Sequence, residues 1–286
     1  RRLGTFSHLT FTAPADGDYL VRVSDVRGFG GPTMGYQLIV RRPQPDFVVS
    51  VSGKGLKVPV GSAKPLFVNV DRKDGFTGPV KVEIAEVPPG FYVTSPIIIE
   101  AGQRAARGVL AAHPGAQPPT PEAVRRVRIR ASAVVGGAEV TKPVAGLEEF
   151  TTAPKPKLLV RIAPPGQSPG QPTGDAATSL DFPQPAELTI APGSTITLTM
   201  TIERNGFDGI VTFEANNLPF GVIVDNIGLN GIQLLEGHTE RTLFLSAARI
   251  TAEQDCLFTL NATAEEGQSS LPILLHVRSA PAVAGK

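Results

Sequence analysis

The chain has 286 residues, enough for about two or three ordinary domains, and 41% of them are hydrophobic, which excludes wholesale disorder. A formal net charge of +1 excludes the basic excess that captures nucleic acid or an anionic membrane surface, and a single cysteine, Cys256, excludes an intramolecular disulfide. The longest apolar runs, such as Pro96-Ile97-Ile98-Ile99, are too short to span a bilayer, so membrane insertion is not expected. Pro and Gly are abundant and fall between short apolar runs, as many strands joined by many turns require.

In chain order, Leu9 to Ala13, Tyr19 to Val23 and Tyr36 to Val40 alternate with a period of two and predict strands. They are separated by the turn Pro14-Ala15-Asp16-Gly17-Asp18 and the loop Phe29-Gly30-Gly31-Pro32. Asp16, Asp18 and Asp25 are the candidate calcium ligands; the alternative is that Asp16-Gly17-Asp18 is simply a polar turn, since no D-x-D-x-D-G series is present. The run Phe11 to Val23, closed by Gly35-Tyr36-x-Leu38-x-Val40, resembles the C-terminal half of the bacterial pre-peptidase C-terminal domain. That resemblance implies a partial small β-sandwich over residues 1–42, in a chain that begins mid-domain. It implies a piece that packs on the next module or is completed by upstream sequence.

The remainder repeats itself. Asp74-Gly75-Phe76-Thr77-Gly78-Pro79-Val80 matches Asn205-Gly206-Phe207-Asp208-Gly209-Ile210-Val211 at an offset of 131 residues, Gly75 to Gly206. The same offset holds for Val87-Pro88-Pro89-Gly90 against Leu218-Pro219-Phe220-Gly221. After a small insertion it returns for Arg130-Ala131-Ser132 against Asn261-Ala262-Thr263. Leu66, Val68 and Val70 alternate with polar neighbours, and Asp74-Gly75 and Asn205-Gly206 suit tight hairpins. Further strands are predicted at Ile97 to Ile99, Arg107 to Ala111 and Val127 to Val134. Their counterparts lie at Ile232 to Leu235, Arg241 to Ser246 and Leu257 to Ala264. Gly136-Gly137 and Glu266-Gly267 turn into a closing strand. About seven strands in roughly 100 residues predict two antiparallel sheets packed face to face. The pattern Asp/Asn-Gly-Phe-x-Gly-x-Val, then Leu/Val-Pro-x-Gly, then an Ala-Ser/Thr-Ala strand resembles bacterial immunoglobulin-like modules of secreted and surface proteins. The expected fold is all-β: tandem immunoglobulin-like β-sandwiches over residues 43–152 and 153–286, preceded by the partial small β-sandwich. Residues 163–186, rich in Pro, Gly and Gln, are expected to be a flexible insertion after the strand Leu158 to Ile162.

No motif of catalysis survives inspection, so no catalytic residue is assigned. Gly166-Gln167-Ser168-Pro169-Gly170 fits the G-x-S-x-G pattern, but the flanking Pro and Gly forbid the helix a nucleophile elbow needs. His8, His113, His238 and His276 are scattered without metal-ligand spacing, and Cys256 sits in an apolar run as a small hydrophobe. Arg126, Arg128 and Arg130 would share one face of a strand, as a solvated face or an anion or polysaccharide patch. Asn261-Ala262-Thr263 has the form of a glycosylation sequon but lies in a predicted strand. Together these features predict a non-catalytic structural or adhesive module of a large secreted or cell-surface bacterial protein. The alternatives are the accessory C-terminal region of a secreted hydrolase (a protease) with its catalytic domain upstream, or a carbohydrate-binding module. The expected partners are other domains of the same chain or neighbouring surface proteins, or polysaccharide, but not nucleic acid. No cofactor other than calcium is expected.

Overall fold

The computed structural model describes residues 9–53, 55–167, 180–225, 227–228 and 231–279. The first sandwich runs β1 (Asp46–Val51), β2 (Leu56–Pro59), β3 (Ala63–Lys73), β4 (Val80–Ala85), β5 (Phe91–Val93), β6 (Ile97–Ile99) and β7 (Ala105–Ala112). A short helix α1 (Pro121–Arg126) follows, then β8 (Arg128–Val135), β9 (Ala138–Pro143) and β10 (Phe150–Ala153). One sheet has the order β1-β3-β7-β5, the other β6-β4-β8-β9. The opening strand changes layer partway: β1 runs antiparallel to β3, whereas β2 pairs in parallel with β10.

The second sandwich repeats this plan with β11 (Leu158–Ala163), β12 (Ala186–Ile190), β13 (Thr195–Arg204), β14 (Val211–Asn216), β15 (Val222–Val224) and β16 (Ile232–Leu234). It ends with β17 (Glu240–Ala247), β18 (Gln254–Ala262), β19 (Gln268–Ser269) and β20 (Ile273–Val277). Its first sheet is β11-β13-β17-β15. In its second, β14 pairs with β16 and β18, and β20 joins β18 antiparallel and β12 in parallel. Register is kept as well as order. Val82 faces Ala131 and Glu83 faces Arg130, while Phe213 faces Ala262 and Glu214 faces Asn261.

Alternation builds each core. Leu66, Val68 and Val70 point inward with Phe47, Val80 and Leu110; Leu198, Met200 and Ile202 do so with Leu158, Leu243 and Phe258. Each such side chain contributes roughly 1.5–3 kcal/mol by leaving water.

The repeated motifs are structural devices. Gly75 and Gly206 adopt φ of 82° and 95°, where a side chain would be strained. The following Phe then folds back over the second Gly: a Cβ on Gly78 would lie 3.0 Å from the Phe76 ring, and one on Gly209 3.3 Å from the Phe207 ring. Arg72 donates to the carbonyls of Gly78, Glu100 and Gln103, and Arg204 does the same for Gly209, Leu235 and His238. Aligned at 131, Arg72 falls opposite Glu203. The equivalence appears only because β3 and β13 correspond at 132, Ala63 to Thr195, with one residue fewer in the second hairpin. The second motif ends on Gly90 and Gly221, whose carbonyls accept from the N–H groups of His113 and Ala248.

Three expectations change. First, residues 9–45 contain no strand and are exposed throughout, despite their alternation. Such a segment has an apolar face but nothing to pair with or pack on, and strand formation needs both. Nor does it pack on the first sandwich, to which its end is tied by Arg41 and the Gln44 N–H, both donating to Asp74 Oδ2. Second, Arg126 ends α1 rather than joining the strand. Thr120 Oγ1 accepts from the Ala123 N–H, Pro121 occupies the first turn with Glu122, and Arg125 and Arg126 close the last, all helix-favouring placements. Third, residues 163–186 are not loop at both ends. Ala163 closes β11, Ala186 opens β12, and Phe182 packs on the first sandwich; residues 168–179 lie outside the described residues.

Candidate functional site: the seam between the sandwiches

The most elaborately built surface among the described residues lies between the two sandwiches. In β7 the side chains of Val109 and Ala111 point away from the core of the first sandwich, yet both are buried, as is Ala63 on β3. They pack with Tyr92, Phe182 and Leu271 into a small apolar cluster of their own. The Tyr92 and Phe182 rings lie 5.6 Å apart, and the His113 ring meets Phe182 edge-on at 6.0 Å. The insertion after β11 therefore returns across the first sandwich before it enters β12. Burial pushes the Tyr92 hydroxyl up to about 12.

Polar contacts surround this cluster. Ser62 Oγ donates to Gln268 Oε1 at 2.7 Å in a buried position, and Ala63 bridges to Ser269, joining β3 to β19. Lys64 is 6% exposed, and its Nζ donates to the carbonyls of Glu265 and Glu266 at 3.1 and 3.0 Å. Both Glu residues take positive φ, and burial lowers the Lys64 ammonium below its ordinary range against the opposing pull of the two carboxylates. Arg107 donates to Glu214 Oε2 at 2.5 Å and Asn216 Oδ1 at 2.9 Å, with its guanidinium 4.9 Å from the Phe67 ring centroid. The Arg107 N–H donates to Asn217 Oδ1 at 2.8 Å, and Asn217 Nδ2 donates back to the Arg107 carbonyl. Beside these contacts runs a cleft of about 760 Å³, walled by Ile98, Glu100 and Ala105 from one sandwich and Phe220, Cys256 and Leu257 from the other.

The sequence-level candidates lie elsewhere or are used structurally. Asp25 Oδ1 accepts from the N–H groups of Arg27 and Phe29, which makes it a turn residue, and Asp16 lies in an exposed bend with the exposed Asp18 just after it. The structure does not gather the three: among the described residues no three His, Cys, Asp or Glu side chains cluster to hold a metal ion.

Ser168 of the G-x-S-x-G pattern, like His8, lies outside the described residues. His113 is buried; its Nδ1 accepts from the Gly115 N–H, so the proton sits on Nε2. His276 contacts Asp255 at 2.7 Å on the second sandwich, far along β20 from the seam cluster at Leu271. Cys256 is mostly buried, and its thiol is pushed up to about 12 by burial, then by Glu100 and Asp255, which removes its nucleophilic form at neutral pH. Asn261 is buried, its Oδ1 accepting from Ser269 Oγ. Arg128 and Arg130 are exposed, and Arg128 donates to the Arg125 carbonyl.

Sequence reasoning passed over the seam. Its one signal was β7 itself, whose run Val109-Leu110-Ala111-Ala112 lacks the polar alternation of an outward face. The equivalent β17 reads Glu-Arg-Thr-Leu-Phe-Leu-Ser-Ala, keeps the alternation and stays open on that face.

No protein-family model matches the chain, and no curated protein sequence matches it. Among solved structures, domains 4 and 5 of the S-layer protein SbsC are 14% identical over 66% of this chain and 75% of that one, with a TM-score of 0.26. The D0–D1 domain of intimin is 11% identical over 80% and 99%, with a TM-score of 0.26. The fibronectin(III)-like modules of Clostridium thermocellum CbhA are 14% identical over 84% and 97%, with a TM-score of 0.23. The fold assignment rests on the strand pairings themselves: two tandem immunoglobulin-like β-sandwiches.

Proposed function

We propose that this chain is a non-catalytic structural module, a spacer or scaffold within a large secreted or cell-surface bacterial protein. One observation carries the reading. Lys64 and Gln268, both buried, and Arg107 and Asn217, both half-buried, spend their polar groups on joining one sandwich to the other. The repeated motifs likewise go into turns and carbonyl caps. In this reading the exposed alternating segment within residues 1–42 is the partial pre-peptidase-like unit, and its strands form only against further polypeptide. Its many exposed apolar side chains, Leu20, Val26 and Tyr36 among them, support that assignment. Antibody raised against residues 46–279 tests the reading on intact cells of the producing organism. Labelling of unbroken cells, or recovery of the chain from the culture fluid, is expected. Confinement of the antigen to the cytosolic fraction would overturn it.

A further inference from the structure

Tandem domains joined by a short connection ordinarily move relative to one another unless a substantial interface stops them. Here only residues 154–157 connect β10 to β11. We infer that Arg107 and Asn217 form a clasp that fixes the two sandwiches as one body, with the Asn217 carboxamide standing in for a strand residue on the edge of β7.

The edge of β7 facing away from β3 is only partly covered. Tyr92 of β5 pairs opposite Ala111. Two residues along, Val109 is met by Thr94, whose Oγ1 accepts from the Val109 N–H and whose own N–H donates to the Val109 carbonyl. By the alternation of antiparallel ladders the next edge-facing backbone pair belongs to Arg107. Among the described residues no strand of the first sandwich reaches it. Asn217, from the end of β14 in the second sandwich, supplies one acceptor and one donor to that N–H and C=O, the same two bonds a paired strand would make. A carboxamide is the only neutral side-chain group that offers both at that spacing. Among residues with a side chain, Asn is also the one that best tolerates the left-handed backbone, and Asn217 adopts φ 64°. The Arg107 side chain then closes on Glu214 and Asn216 from the same strand.

The repeat provides an internal control. The first-sandwich counterpart of Asn217, at the offset of 131, is Glu86, which shares the positive φ but carries a carboxylate that cannot donate. The second-sandwich counterpart of Arg107, at the offset of 135 that relates β7 to β17, is Thr242, and that of Lys64 is Ile196. Each sandwich therefore carries one half of the clasp. It has a direction, first sandwich to second, and does not propagate from copy to copy of either module.

Pulsed electron–electron resonance on the full chain tests this. Nitroxides are placed at the exposed positions Glu139→Cys and Glu240→Cys in a Cys256→Ala background. The parent is expected to give one narrow distance distribution. Asn217→Gly keeps the φ but deletes the carboxamide, and at least a doubling of the width is expected, with the far-ultraviolet dichroism unchanged. Asn217→Asp, which keeps the shape and exchanges the donor for an acceptor, should broaden the distribution similarly. Asp208→Ala, at an exposed turn position outside the seam, should leave it narrow. A broad parent distribution, or Asn217 variants as narrow as the parent, would overturn the inference.

Discussion

The Gly-Phe-x-Gly turn shows how little freedom single residues have in these modules. Phe76 occupies the space that a Cβ on Gly78 would need, and Phe207 does the same over Gly209. Overpacking of this kind costs about 1–3 kcal/mol. Gly78→Ala is therefore expected to lower the urea midpoint of the full chain, more than Gly35→Ala, where open space surrounds the added carbon and the backbone is not left-handed. An equal effect at both positions would mean that the Phe76 ring yields to the added carbon at no cost. A second residue-level consequence concerns acid. The hydrogen bond from Lys142 Nζ holds the Asp46 carboxyl below the usual carboxylate range, helped by the Phe47 backbone. A depressed folded value contributes stability above the unfolded value, and that contribution is lost as pH falls through the folded one. Lys142→Met should lessen the fall in melting temperature as pH drops below about 4, because the carboxyl then loses the largest of the contacts that lower it. The turn motifs were plain in the sequence, since Gly after Asp or Asn has a local cause. Arg72 and Arg204 were not, because their equivalence hides behind a one-residue change of offset.

Elements were legible where alternation had a partner to satisfy it. β4, β14, β5 and β15 stand 131 residues apart as the repeat predicts, and the hairpins at Gly137 and Gly267 turn where expected. Alternation misled at residues 9–45, where the pattern is present and the sheet is not: period two says which face is apolar, not what will cover it. Helix α1 was lost for the opposite reason. Its six residues are too few to show a helical period, although Thr120-Pro121-Glu122 carries a cap, a first-turn Pro and a first-turn acid. If that cap holds the element, Thr120→Ala should cost about 1 kcal/mol in denaturant unfolding. Hydrogen exchange should also speed at Val124, whose N–H bonds to the Thr120 carbonyl, while β8 stays protected.

At the scale of the molecule, the repeat predicted two equivalent sandwiches, and the structure adds that they are unequal where they meet. The first buries small side chains, Ala63, Val109 and Ala111, on an outer face that its twin leaves open with Phe244 and Ser246. A single sequence reveals such a face only as missing polarity in one strand, and its partner, the hairpin at Glu265 to Ser269 whose Glu265 lies 201 residues from Lys64, leaves no local trace. A folded β module exposes strand edges that invite wrong pairing, and the seam removes part of one such edge from solvent. The two sandwiches therefore behave as one body. Backbone ¹⁵N relaxation on deuterated full-length chain tests this most directly. The account predicts that amides within residues 47–150 and those within 158–277 fit a single rotational diffusion tensor. Two separate tensors, each tumbling faster than the whole, would contradict it.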